Sequence, residues 1–261
     1  MTNTLRDLTA AEGRSAFGAD AANYDAARPP YPDWVYERLA VTPGMRVFEI
    51  GPGTGQATAR LLGAGAAVTA VEPDARLAAF LRDKFAAPAL TVVNEAFEDA
   101  ALEDGALDLG CAATAFHWME QRPALAKVAR LLKPGGMWAM WWNVFGDPDR
   151  ADPFHEATNT VLNGERGSHG SYNFALDTEA RLADLRSVAA LTDIAVEIRK
   201  WTLVLTTAEM RRLYASFSQF SSVSLDEKEG ILDALAEIAE REFGGRVERN
   251  MCTALYTARR V

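Results

Sequence analysis

The sequence predicts an α/β domain with a doubly wound, mostly parallel sheet, on three observations. Short apolar runs of strand length alternate with helical segments from Arg46 onward. The first of these strands opens into a glycine-rich turn, Gly51-Pro52-Gly53-Thr54-Gly55, and a carboxylate, Glu72, closes the run Val68-Thr69-Ala70-Val71 about 20 residues further on. Strands that alternate with helices pair in parallel through right-handed crossovers, so both faces of the sheet are covered.

Residues 1–32 are polar, then aromatic and proline-rich, and read as an arm over the mouth of the site. Pro32-Asp33 opens a helix to about Leu39. The core follows with a strand at 46–50, a helix at 56–63, a strand at 67–72, a helix at 74–85 capped by Asp74, and strands at 90–94 and 107–112. A helix at 122–132 is stopped by Pro134-Gly135-Gly136 before a strand at 136–143. Residues 144–190 break the alternation with Gly146-Asp147-Pro148, a helix near 153–163 and the loose run Gly164 to Ser171, and read as a cap insertion. A strand at 194–205, helices near 207–218 and 226–242, and a last strand at 248–258 complete seven strands. The expected organisation is thus an arm at 1–32, an α/β core at 33–143, a cap at 144–190, and a part at 191–261 that belongs to the same domain and adds further cap helices.

The turn after the first strand has a mechanical logic. Without Cβ atoms, Gly51 and Gly53 take backbone angles closed to other residues and admit a ligand close to the main chain, while Gly55 is expected to let the helix pack against the strand. The helix start offers free N–H groups. Glu72 arrives beside the turn by way of one helix and a return strand, where a carboxylate accepts both hydroxyl protons of a ribose. A dinucleotide fingerprint wants glycine or alanine where Gln56 stands. Glu49, two residues before Gly51, instead suits a ligand with a positive amino group and repels a pyrophosphate.

These motifs resemble the class I S-adenosylmethionine-dependent methyltransferases, and among them the small-molecule branch often called type 11. The resemblance extends to Phe17-Gly18-Ala19-Asp20-Ala21-Ala22-Asn23-Tyr24-Asp25 with Arg28-Pro29-Pro30-Tyr31-Pro32, to Phe116-His117-Trp118, and to Leu131-Leu132-Lys133-Pro134-Gly135-Gly136, in the family's order over roughly residues 15–145. It implies a Rossmann-like sheet ending in an antiparallel hairpin, with S-adenosylmethionine as cofactor. By the same resemblance Gly51 and Gly53 face its methionine and ribose portions, Gly55 counts with them among the cofactor-binding residues, Glu49 supports the amino end, Glu72 holds the ribose, and Ala113 lends a carbonyl to the ammonium. Ala96 and Phe97 take the adenine-binding place. Phe97 stands where an acid often follows the alanine, so that acidic role passes to Glu98.

The methyl donor is already electrophilic, so catalysis is mainly alignment of nucleophile, carbon and sulfur with water kept out. His117, after the fourth strand, is the candidate catalytic residue: a histidine there could take a proton from a hydroxyl or amine nucleophile, its ordinary pKa near 6.5 suiting neutral pH, or only pack beneath the cap. Arg28 is placed to pair with the cofactor carboxylate or to stack on Tyr31. Tyr24, Tyr31 and Trp118, with Trp142 and Asn143 at a strand's carboxyl end, are candidate substrate contacts. Trp138 and Trp141 read as core.

Composition narrows the rest. At 261 residues and 49% hydrophobic, with a net charge of −9, the chain can bury a full core and offers no basic patch for a nucleic acid. The histidines at 117, 155 and 169 and the cysteines at 111 and 252 lack metal-ligand spacing, and the cysteines suit a reducing cytosol. Neither a signal-peptide pattern nor a membrane-length apolar run is present, so a cytoplasmic monomer or homodimer acting on a small-molecule methyl acceptor, with no nucleic-acid or membrane partner, is expected. The competing readings are a nicotinamide-dependent oxidoreductase, disfavoured by Glu49 and Gln56, and a non-enzymatic S-adenosylmethionine-binding regulator.

Overall fold

The computed structural model describes residues 25–162, 174–217, 220 and 223–261. The expected Gly164–Ser171 loop, most of residues 1–32 and the candidate Tyr24 lie outside them. Among the described residues, helix α1 (Asp33–Leu39) precedes β1 (Arg46–Ile50), α2 (Gln56–Gly63), β2 (Ala67–Val71), α3 (Ala75–Phe85), β3 (Leu90–Val93) and β4 (Leu107–Ala113). A single 3-10 turn, Phe116–Trp118, leads to α4 (Gln121–Leu131) and β5 (Leu132–Phe145). Then follow α5 (Pro153–Thr158), α6 (Thr178–Arg186), β6 (Leu191–Thr206), α7 (Thr207–Ala215), α8 (Leu225–Phe243) and β7 (Arg246–Arg260).

The seven strands form one sheet in the order β3-β2-β1-β4-β5-β7-β6, with β7 antiparallel to both neighbours and the other pairs parallel. The chain leaves β1 toward β2 on one side and returns through β4 on the other. The order therefore reverses between β1 and β4, the place where doubly wound sheets open a crevice at their carboxyl ends. Helices begin where the sequence supplies acceptors: Asp74 Oδ1 accepts the Arg76 N–H at 2.8 Å, and Thr206 and Glu209 cap α7 reciprocally.

One apolar cluster on the sheet joins Phe48, Phe116, Trp138 and Trp142 to α4, and another joins Val47, Leu109 and Trp141 to α1 and α2. A third lies beyond the end of β5, where Phe145, Phe154, Met210, Tyr214, Leu235 and Met251 draw α5, α7 and α8 together. Inside that cluster Arg249 is buried, donates from Nε to Asp152 at the start of α5 at 2.8 Å and from Nη1 to Tyr214 of α7, and so ties those two helices to β7.

Three element expectations need correction. The helix near 153–163 ends at Thr158. Strand β5 starts at Leu132 rather than 136, because Gly135, at φ 78°, lets the chain turn within it. Residues 178–186, expected only as part of the cap insertion with no element assigned, form α6, whose Leu185 joins the sheet cluster.

Candidate cofactor and acceptor site

A pocket opens at the carboxyl ends of β1 and β4, bounded by the glycine turn, the end of β2, the loop after β3, the Phe116–Trp118 turn and residues 28–31. Its walls are largely apolar, with Ile50, Leu77, Met119 and Phe145 among them.

The glycines of the turn do three different things. Gly51 has φ 60°, and a Cβ on it would lie 2.7 Å from that of Ala115, so it lets the loop after β4 close against β1. Gly53 has φ 59°, and a Cβ there would meet nothing within 4 Å, because its free side faces the pocket. Gly55, expected at the cofactor, does not line the pocket: a Cβ on it would meet the Phe85 ring at 2.3 Å and Leu81 at 2.7 Å. It is the contact that seats α3 against the start of α2, rather than α2 against the strand.

Glu72 is buried at the pocket wall. Its Oε2 accepts the Gly53 N–H at 3.1 Å and its Oε1 the Asp74 N–H at 3.0 Å, so the carboxylate is held rigidly with lone pairs to spare. Burial, only partly offset by these bonds, raises its pKa to about 7. Glu49 corrects a second expectation. Ile50 lines the pocket, and strand alternation turns the neighbouring Glu49 away, toward α2, where it accepts the Thr58 hydroxyl at 2.6 Å. Any influence it has on a ligand is through its field. Its pKa also rises to about 7, chiefly from complete burial.

Ala96, Phe97 and Ala113 line the pocket as expected. The Phe97 ring, however, is spent in the core, stacked on Phe48 at 5.9 Å, which leaves its backbone and Glu98 at the wall. A residue the motifs did not flag shapes this loop. Lys127 of α4 donates to the carbonyls of Phe97, Glu98 and Ala100 at 2.5, 3.1 and 2.7 Å, and lies 4.9 Å from the centre of the Phe97 ring.

Arg28, Pro29 and Tyr31 form one wall. Gln56 donates to the Arg28 carbonyl at 3.1 Å, which gives the residue that breaks the dinucleotide pattern a job of its own. Arg28 donates to the Ser216 carbonyl at 3.1 Å and lies 4.9 Å over Phe217, joining the arm to the end of α7. The Tyr31 hydroxyl and that of Thr114 are 2.9 Å apart. Thr114 itself has φ 53°, an uncommon backbone for a β-branched residue and a form of strain that collects at functional sites. Asn143 lines the pocket, but its amide is engaged: it donates to Pro30 O at 3.1 Å and accepts from Thr253 at 2.8 Å.

His117 and Trp118 are at the wall, their rings 4.4 Å apart. Trp142, expected as a substrate contact, is fully buried behind them and donates its indole N–H to His117 Nδ1 at 3.1 Å. Burial lowers the His117 pKa to about 3. An occupied Nδ1 and a ring so reluctant to take a proton both work against the expected proton-accepting role.

The likenesses to known proteins point the same way as this geometry. Residues 48–140 match the family described as methyltransferase domain. An uncharacterised methyltransferase of Schizosaccharomyces pombe is 26% identical over 254 residues, covering 94% of this chain and 97% of that protein. An uncharacterised methyltransferase of Mycobacterium tuberculosis is 36% identical over 143 residues, covering 55% of this chain and 56% of that one. Among solved structures, a protein of Bacillus halodurans C-125 shares the fold with a TM-score of 0.56 at 14% identity, over 87% of this chain and 97% of the other. Phosphoethanolamine N-methyltransferase 2 of Haemonchus contortus does so with a TM-score of 0.54 at 15% identity, over 87% of this chain and 51% of its own. The glycine turn, the acid at the end of β2 and these likenesses together support a class I S-adenosylmethionine-dependent methyltransferase of the type 11 branch.

Proposed function

We propose that the chain methylates a small-molecule acceptor by in-line transfer from S-adenosylmethionine in the pocket between β1 and β4. The observation that carries this reading is the pairing of Gly53, whose free side faces the pocket, with the rigidly held carboxylate of Glu72. The residues present fit the cofactor. When bound, it supplies a methyl carbon made electrophilic by the attached sulfonium. Glu72 would hold the ribose hydroxyls, Gly51 and Gly53 the methionine and ribose path, the backbone at Ala96 and Phe97 the adenine, the Ala113 carbonyl the ammonium, and Arg28 the carboxylate. Burying Glu49 and Glu72 as carboxylates disfavours the free protein, and a cationic ligand nearby offsets that cost. Apolar walls keep water from the reacting centre. The expected home of such an enzyme is the cytoplasm, and both cysteines are free and buried. Among the described residues no helix is long and apolar enough to cross a membrane.

The acceptor class is tested by incubating the enzyme with methyl-labelled donor and separate small-metabolite, RNA and protein fractions of a cell extract. Label should enter the small-metabolite fraction alone; label only in RNA or protein would contradict the reading. With an acceptor in hand, a donor bearing an isotopically chiral methyl should give inversion, and retention would exclude in-line transfer.

The proton linkage has a definite sign. Glu72 has a raised pKa, so its contribution to folding is fully present below about pH 4.5 and is lost as pH rises to about 7. Ligand binding runs the other way, because only the ionised form accepts from two hydroxyls. S-adenosylhomocysteine affinity should therefore be flat above about pH 8 and fall below about pH 7, approaching roughly tenfold per unit. Calorimetric titration across that range checks this, and a flat profile would show that Glu72 is not the titrating contact.

Lys127→Met should weaken S-adenosylhomocysteine binding about three- to tenfold with little loss of fold, since three carbonyls at the adenine loop lose their common donor. Affinity of the variant relative to wild type decides it.

A further inference from the structure

We infer that His117 is a fixed hydrogen-bond donor to the methyl acceptor, not a base, and that Trp142 is the positioning residue that sets its tautomer. The identity of the ligand as a methyl acceptor rests on the proposed function; the state of the ring does not. An indole N–H can only donate, so its 3.1 Å contact leaves Nδ1 without a proton. The neutral ring then carries its proton on Nε2. Trp118, Trp142 and Phe174 pack around His117 with ring centroids 4.4, 6.4 and 6.0 Å away, and among the described residues no charged group perturbs it.

Trp142 has little freedom to release the contact. It is fully buried in β5, edge-on to Tyr256 at 6.3 Å and tilted against Phe174 at 5.2 Å. Nε2 makes no hydrogen bond to a described residue and is not sealed in the core, while the ring lines the pocket. Its N–H is therefore offered to whatever enters beside the Phe116–Trp118 turn.

This constrains the acceptor. Next to the methylated atom it carries an oxygen lone pair, of the carbonyl, carboxylate or phosphoryl kind, that receives the Nε2 proton in a hydrogen bond. The attacking atom does not hand a proton to His117. Its lone pair forms the bond to the methyl carbon, the carbon–sulfur pair departs with sulfur, and any proton left on the methylated atom is lost to bulk solvent once the product leaves the pocket. A neutral donor fixed by packing also discriminates: an acceptor lacking that oxygen leaves the N–H unpaired in an apolar wall, an unfavourable outcome.

Nitrogen-15 spectroscopy of protein with labelled histidine tests this, free and saturated with S-adenosylhomocysteine, with the His117 signals assigned by His117→Gln. The wild-type ring should show one tautomer, protonated at Nε2 and bare at Nδ1, unchanged from about pH 8 to about pH 5. Trp142→Phe should give a mixture of tautomers. Acetate or acetamide, as oxygen probes, should shift the Nε2–H signal saturably, and methylammonium chloride at equal ionic strength should not. A proton on Nδ1, titration of the wild-type ring near pH 6.5, an unmixed tautomer in Trp142→Phe, or an Nε2–H blind to both oxygen probes would overturn the inference. The tautomer is read without turnover, so its failure is distinguishable from a failure to bind S-adenosylhomocysteine.

Discussion

Replacing Glu72 with alanine should weaken S-adenosylhomocysteine binding by roughly ten- to hundredfold while the protein stays folded. The carboxylate offers charge-assisted acceptance worth about 1.5–3 kcal/mol, and truncation also frees the Gly53 and Asp74 N–H groups it orients. Stability moves less than binding because two effects oppose each other: a buried carboxylate with a raised pKa is removed, and two backbone donors lose their partner. Calorimetric titration with a parallel thermal melt separates the two quantities. Unchanged affinity in the folded variant would place the ribose elsewhere.

The glycine turn gives a sharper contrast, because neighbouring glycines should fail in opposite ways. Gly53→Ala adds a methyl where the free protein has open space, at a cost of about 1–2 kcal/mol for its left-handed backbone, yet that methyl enters the ligand's path. Affinity for S-adenosylhomocysteine should drop on the order of hundredfold with a modest change in melting temperature. Gly55→Ala, also at positive φ, drives its methyl into the Phe85 ring and Leu81, and should cost about 2–5 kcal/mol of stability. Whatever fraction remains folded should bind nearly normally, since Gly55 is not at the wall. Denaturant melts and titrations of both variants test the pair; a swap of the two phenotypes would mean that the turn is misassigned.

These contrasts also show what a sequence can and cannot disclose here. Strands β1, β2 and β4 were readable because burial on both faces makes them continuous apolar runs, and α3 because Asp74 announces its start. Helix α6 was not: its segment, Thr-Glu-Ala-Arg-Leu-Ala-Asp-Leu-Arg, buries only Arg181 and Leu185, too little for an apolar stripe to show. The Gly51, Gly53 and Glu72 motif located the pocket, but the separate jobs of its glycines depend on what each absent Cβ would meet. Phe85 and Ala115 are distant in sequence from the turn they touch.

Side-chain partners followed the same rule. That Glu49 turns away from the pocket follows from strand alternation only once Ile50 is seen to line it. No local pattern links Trp142 to His117, whose pairing arises because β5 lies beside β4 with Ala113 opposite Trp141. Lys127 reaches carbonyls 27–30 residues away and was likewise invisible. Gln56 was legible only as a departure from the dinucleotide pattern, whereas in the fold it fastens Arg28.

Isothermal titration of the purified protein with S-adenosylhomocysteine, beside a matched titration with NADH, tests the central claim most directly. The account predicts saturable binding of S-adenosylhomocysteine at one site per chain, weakened on the order of hundredfold in Gly53→Ala and roughly ten- to hundredfold in Glu72→Ala, with no response to NADH. Saturable NADH binding together with no heat from S-adenosylhomocysteine at millimolar concentration would contradict it.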